Sequence, residues 1–320
     1  MATLLRSVKN AFIRSKDKEL SDDEIERRME SGLKALVNII SDDNIESIRG
    51  HINEIVLNER AETNNFLAHN EQLWNNGFFA SEAMYLLATE SGHAYSACVL
   101  ELPKEELEGK KYMFSVMAYL HGRACQQYLE ILHLLKGGLA DGAYARVRSI
   151  YELCIISEFI SNNGENVAKA YYENSFSNNI AQNVWAKAAS CFTSSDKDGV
   201  SFEEIQKQCK FATSAWKKLY YSANHIVHPS PKGTYNRIGV PSMENLNPVG
   251  RSVYGLSNPA INSAVLLAKI STNYFTSVPS GDGTVYAETI KKWSSIVRER
   301  YEEIEEKCFS DESDNNETST

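Results

Sequence analysis

The sequence predicts an all-α fold, an antiparallel helical bundle with a long irregular loop between its late helices, and three observations carry that expectation. Apolar residues recur at helical spacing through almost every segment. The polar breaks between those segments hold capping and stop residues. No stretch alternates apolar and polar residues for long enough to build a sheet. At 320 residues, with 42% hydrophobic and 23% charged side chains, the chain can bury a substantial core.

Taken in order, "MATLLRSVKNAFIRSKDK" places Leu4, Leu5, Val8 and Phe12 at helical spacing among Arg6, Lys9, Arg14 and Lys16. That pattern predicts a surface helix packing on the domain, with a helix lying on a membrane surface as the alternative. "SDDEIERRMESGLKALVNII" opens with a Ser21/Glu24 capping box and carries Ile25, Met29, Leu33, Leu36 and Ile40 on one stripe. A second helix is expected from Asp43 to Leu57, and a third through "NFLAHNEQLWNNGFFASEAMYLLATES". Beyond the connector flanked by Pro103 and Gly109, "KYMFSVMAYLHGRACQQYLEILHLLKGGL" makes a long helix stopped by Gly137 and Gly138.

"DGAYARVRSIYELCIISEFISNNG" follows at once, with Asp141 as the expected N-cap and Gly164 as the stop, so these two helices form a tight antiparallel hairpin. "NVAKAYYENSFSNNIAQNVWAKAASCF" reads as the next helix, and "SFEEIQKQCKFATSAWKKLYYSANHIVH" as another, capped by Ser201 and Glu204. From Pro229 to Pro259 the chain holds five of its seven prolines and no convincing period, the mark of a functional or disordered loop. Two helices through "AINSAVLLAKISTNYF" and "VYAETIKKWSSIVRERYEEIEEKC" close the fold. The expected organisation is an N-terminal helical region over 1–105, a core over 106–308 containing the loop 229–259, and a disordered acidic tail over 309–320.

A net charge of −9 argues against a wholesale nucleic-acid coat and leaves room for a local basic patch. The six cysteines include no C-x-x-C pair, which points to buried thiols in a reducing compartment and to a cytoplasmic protein. No apolar run approaches the roughly 20 residues that span a bilayer. Phosphate-loop, dinucleotide and nucleophile-elbow motifs are absent, and no cofactor is expected.

Three constellations carry chemistry. His225 and His228 lie three apart, on one helical face, and Pro229 places His228 at or near the last turn, beside the negative end of the helix dipole. That suits a general acid or a cation near a phosphate, while the plain alternative is a helix stop. A zinc site would want further ligands, so no metal is expected. Arg148 and Glu152 lie four apart on the central helix with Tyr144 and Tyr151 nearby, whereas Arg146 points about 160° away from Arg148. An ion pair in so apolar a helix is an expensive stability device, which raises the chance of a functional role. Finally, Lys232, Tyr235, Arg237 and Arg251 give the loop positive charge and stacking surface directly after the histidines.

"LHLLKGGLADGAYARVRSIYELCIISEFI", followed by "AYYENSF" and "YYSANHIVHPS", resembles an uncharacterised bacterial family with a helical domain of unknown function. The matching elements are a Gly-Gly-x-x-Asp-Gly-Ala turn, an Arg-x-Arg-Ser-x-x-Glu helix and a Ser-x5-His-Pro element, and the resemblance covers about residues 110–235. The arrangement is also distantly similar to the HEPN class. That resemblance implies a metal-independent RNase or toxin-like effector of bacterial antiphage defence, with RNA as substrate and a homodimer as the assembly. The class places an arginine before its histidine with four to six residues between them; here positions 221–223 are Tyr, Ser and Ala, so the arginine must come from Arg148 or Arg146.

On that reading His228 is general acid or base, Arg148 stabilises charge on the scissile phosphate and Glu152 orients the arginine, with His225 and Tyr221 supporting them. The alternative is a non-catalytic helical module that uses the central hairpin and the loop to grip a partner protein or small ligand.

Overall fold

The computed structural model describes residues 21–177, 181–193, 198–228, 230–235, 237–239 and 250–309. All regular structure among the described residues is helical. The helices are α1 (Asp22–Leu100), α2 (Lys104–Leu107), α3 (Lys111–Lys136), α4 (Ala140–Asn163), α5 (Glu165–Asn174), α6 (Phe202–Lys207), α7 (Ser214–Val227), α8 (Pro231–Tyr235), α9 (Ser257–Phe275) and α10 (Gly281–Phe309). Two 3-10 turns, Val184–Ala188 and Ser190–Phe192, separate α5 from α6. The basic amphipathic segment at the start of the chain and the acidic tail after Phe309 lie outside the described residues.

The chain divides into two compact units, residues 1–65 and 66–320. The described part of the first unit is helical from Asp22 onward. Three separate helices were expected before Ser91, and one continuous helix is found. No proline interrupts it, and Ser41, at the polar break, turns its hydroxyl back to the Val37 carbonyl at 2.7 Å instead of capping a new helix. Val37, Ile40, Ile45, Ile48, Ile52 and Ile55 are exposed along it.

In the second unit α9 packs against α3, α4 and α10, and α3 packs against α4. Trp74, Phe78, Met84 and Tyr95 of α1 are fully buried in the same core, as are Tyr151, Phe159, Phe275 and Tyr301. Three aromatic polar tips are satisfied: Trp74 Nε1 donates to the Val253 carbonyl at 3.0 Å, Trp293 Nε1 to Ala80 at 2.9 Å, and the Tyr95 hydroxyl to Val278 at 2.8 Å.

The α3–α4 hairpin is as tight as its glycines imply. Gly138 adopts φ +69°, the Leu139 amide donates to the Leu134 carbonyl at 2.8 Å, and the Gly138 amide to Leu135 at 2.9 Å. Asp141 is not the N-cap: Leu139 holds that position and Asp141 sits in the first turn. Two expected helices break. The segment after Gly164 is helical only to Asn174, and beyond it Asn183 takes a left-handed φ of +47°. The segment after Ser201 keeps its capping box but splits into α6 and α7, because the buried Glu158 carboxylate accepts the Phe211 amide at 3.1 Å between them. In the expected loop 229–259, residues 231–235 form α8 and Pro259 already lies inside α9. All six cysteines are free; Cys125, Cys154 and Cys209 are buried as expected, but Cys191 and Cys308 are exposed.

Gly138 leaves no room for a methyl group, since a Cβ there would run into the Phe66 ring and the Ser252 carbonyl. Gly138→Ala should therefore lower stability by about 2–3 kcal/mol in urea denaturation, and an unchanged midpoint would contradict the packing described.

His121 is 5% exposed, stacked on Tyr274 with ring centroids 5.0 Å apart. Burial, with neighbouring His93 adding to it, pushes its pKa from 6.5 down to about 4. Between those values the unfolded chain takes up a proton that the folded chain refuses, so this contribution is whole above pH 6.5 and falls away as pH drops toward 4. The loss is roughly 3 kcal/mol at its limit. Across that window His121→Gln should show a shallower fall of stability with acid than the parent protein.

Candidate functional site

Helix α7 lies antiparallel along α4. Arg148 meets Tyr220, Tyr151 stacks on Trp216 at 6.1 Å, and Glu158 meets Phe211, so the partners descend as α4 ascends. Along this seam Arg148 and Glu152 form the ion pair their spacing predicts, Nη2 to Oε1 at 2.9 Å. Tyr220 closes the circuit: its hydroxyl donates to Glu152 Oε1 at 2.9 Å and accepts from Arg148 Nη2 at 3.4 Å. The guanidinium also lies 5.3 Å from the centroid of the Tyr220 ring. Burial raises the Tyr220 phenol above its ordinary value, with the Arg148 hydrogen bond opposing and Glu152 adding to the shift. Beneath it Tyr151, whose hydroxyl accepts from Gln206 Nε2 at 2.7 Å, is pushed by burial up to about 12.

Tyr144, one turn before Arg148 and about 6 Å along the helix, lines a pocket of about 260 Å³ with Ser222, His225, Lys232, Gly233, Ile238 and Asn258. His225 is half-buried at its edge, and its Nδ1 lies 3.4 Å from the Ser230 hydroxyl, which itself accepts the Gly233 amide at 3.1 Å. Gly233 is required: a Cβ there would run into the His225 carbonyl. His228 terminates α7 in an extended conformation, ψ 138°, as the following proline dictates, and its side chain is exposed. No hydrogen bond or ion pair joins it to Arg148 among the described residues.

The loop arginines serve the scaffold. Arg237 Nε donates to Asp141 Oδ2 at 3.1 Å, and the Ile238 amide to Asp141 Oδ1 at 3.1 Å. Arg251 Nη1 donates to the Gly137 carbonyl at 2.8 Å. Arg146 pairs with Glu130 at 3.1 Å, away from Arg148 as its helical angle requires. Tyr235 is 85% exposed, and Tyr221 is half-exposed with its ring against Tyr220 at 5.9 Å.

Thus the structure joins Arg148 to Glu152 and places His225, Lys232 and Tyr144 in the adjoining pocket, while Arg146, Arg237 and Arg251 bond elsewhere and His228 and Tyr235 are exposed. Sequence reasoning missed Tyr220, Ser230 and Gly233. Tyr220 lies four residues after Trp216 on one α7 face, a signal available in the sequence, but Ser230 and Gly233 are recognisable only once α8 folds back on α7. Among the described residues there is no group of three or more His, Cys, Asp or Glu placed to hold a metal ion. No helix among them is long and apolar enough to cross a membrane.

With this geometry in view, residues 114–219, about a third of the chain, match a family described as a family of unknown function (DUF5677). The match takes in the α3–α4 hairpin, Arg148 and Glu152, and stops just short of Tyr220 and the histidines. No curated protein and no solved structure matches the chain.

Asp141→Ala should release the Arg237–Ile238 segment. Trypsin should then cut after Arg237 faster than in the parent protein, with a stability loss of about 1–2 kcal/mol. Equal cleavage rates would show that Asp141 does not hold the segment.

Proposed function

We propose that the α4–α7 seam is a recognition site of a helical binding module, and that the pocket at its end takes a small anionic ligand. One observation carries this. The positive charge of Arg148 is already met inside the protein by Glu152 and Tyr220, whereas Lys232 is exposed at the pocket with no ion pair among the described residues. A phosphate- or carboxylate-bearing ligand would find there a cation, the His225 ring, the Ser222 hydroxyl and the Asn258 amide. The Arg148–Glu152–Tyr220 circuit then acts as a clamp that fixes the wall of the site.

A second reading is favoured by the paired imidazoles. His225 in the pocket and His228 exposed one turn later would serve as acid and base in metal-independent RNA cleavage. Under it the chain is an HEPN-like effector of bacterial defence, active as a homodimer in the cytoplasm, and Arg148 must leave Glu152 to meet the phosphate.

Calorimetric titration with adenosine monophosphate and with inorganic phosphate, beside incubation with a mixed RNA pool in EDTA, separates the two. Saturable binding weakened about tenfold or more in Lys232→Ala and His225→Ala, with intact RNA, is the expected result. EDTA-resistant cutting lost in His225→Ala or His228→Ala would replace recognition by catalysis. Absence of both binding and cutting would remove the site.

A further inference from the structure

A second, larger pocket of about 410 Å³ opens between α1, α3 and α9, on different residues from the seam. Its walls come from Tyr85, Thr89, Gly92, His93 and Ser96 of α1, and from Ala118, His121, Gly122, Cys125, Gln126 and Leu129 of α3, with Tyr274 of α9. No Asp, Glu, Lys or Arg lines it. It exists because facing stripes of the two helices carry small residues where a core would carry large ones: Gly92 and Ser96 on one, Ala118 and Gly122 on the other. Gly92 is required by the approach of His121, whose Cε1 would sit 2.8 Å from a Cβ there. Gly122 is different. It lies inside α3, where glycine costs about 1 kcal/mol relative to alanine, and a Cβ there would meet nothing within 4 Å. Its lack of a side chain keeps the mouth of the pocket open.

We propose that this pocket binds an uncharged planar heterocycle with a donor–acceptor edge. The chemistry of the walls selects that class. A charged group would find no counter-ion inside. A bare hydrocarbon would leave His121 Nδ1 without a polar partner, whereas the Thr89 hydroxyl already donates to the Tyr85 and Leu86 carbonyls at 3.1 Å. Aromatic surface from Tyr85 and Tyr274 suits a flat ring. His121 is the fixed element: it is stacked on Tyr274, its Nε2 lies 3.6 Å from Cys125 Sγ, and its Nδ1 makes no hydrogen bond among the described residues. Being held neutral at physiological pH, the ring offers a ligand one hydrogen bond without a charge. Beyond the mouth, Ala118, Gly122 and Gln126 continue into a shallow depression with Tyr119 and Arg123, and Arg123 Nη1 donates to Gln126 Oε1 at 2.9 Å. That contact orients the Gln126 amide at the rim.

The test uses the full chain with adenine, nicotinamide and benzimidazole as probes, followed by saturation-transfer NMR and by the His121 Hε1 resonance. At least one probe should bind saturably and move that resonance. Gly122→Trp should plug the mouth and weaken binding about tenfold or more, while Gly122→Ala should keep binding and unfold at the same or a higher temperature. No saturable binding of any of the three probes would overturn the proposal. So would binding that leaves the His121 resonance unmoved, or that persists in a folded Gly122→Trp. If that tryptophan variant does not fold, the movement of the His121 resonance in the parent protein decides the matter alone.

Discussion

Helix α3 ends in the interior, and the carbonyl oxygens of its last turn have to be answered there, because a buried acceptor left open costs about 1–3 kcal/mol. The answers come from widely separated places in the chain. Asn70 Nδ2 of α1 reaches the carbonyls of Leu135 and Lys136 at 3.1 and 2.9 Å, Arg251 takes Gly137, and the Ser252 amide takes Gly138 at 2.9 Å. Capping this helix therefore fixes α1, the α3–α4 turn and the segment leading into α9 at one point. The consequences run outward. The turn sets where α4 begins, and so where Asp141 stands. Asp141 binds Arg237 and Ile238, and Ile238 with Gly233 forms one side of the small pocket.

Electrostatics at the seam follow a similar economy of partners. An arginine that is only 24% exposed in its side chain needs a counter-charge close by, and Glu152 supplies it. Tyr220 then occupies the remaining lone pair of that carboxylate oxygen and shields one guanidinium face. Breaking such a circuit to hand Arg148 to a phosphate would strand Glu152 and Tyr220, which is the physical reason that recognition is preferred to catalysis. The preference would reverse if a ligand brought a stronger anion and the glutamate gained a new partner.

Much of this was legible before any coordinates. The all-α class, the Gly137–Gly138 hairpin, the Ser201/Glu204 capping box, the Arg148–Glu152 pair and the outward turn of Arg146 each follow from spacing within one helix, where geometry is local. What escaped depends on residues distant in sequence. The break between α6 and α7 is set by Glu158, about fifty residues earlier, accepting the Phe211 amide. The role of Asp141 looked like an ordinary cap until Arg237 came to it across the fold. His121 and Cys125 carried no signal at all, since a histidine and a cysteine one turn apart on an apolar helix read as core.

The two pockets differ in how they are built, and that difference bears on what each can do. The smaller one depends on α8, on loop residues and on two contacts to Asp141, so its shape changes whenever that segment does. It is lined by groups that ionise or bear charge, which would tolerate anionic ligands of varied outline if it binds as proposed. The larger one lies between long helices, with His121 held by Tyr274 and Cys125, and its shape is as rigid as the core behind it. Rigidity without charge selects by outline and hydrogen-bond pattern, since a wrong shape meets packed side chains and a wrong edge leaves buried polar atoms unpaired. A chain with both would sense two chemically unlike ligands. Helix α3 links the two regions, because its turn into α4 positions Asp141 while its middle carries His121 and Gly122. Coupling between them would need two arrangements of that helix end, and the four hydrogen bonds gathered there are the contacts that would have to differ.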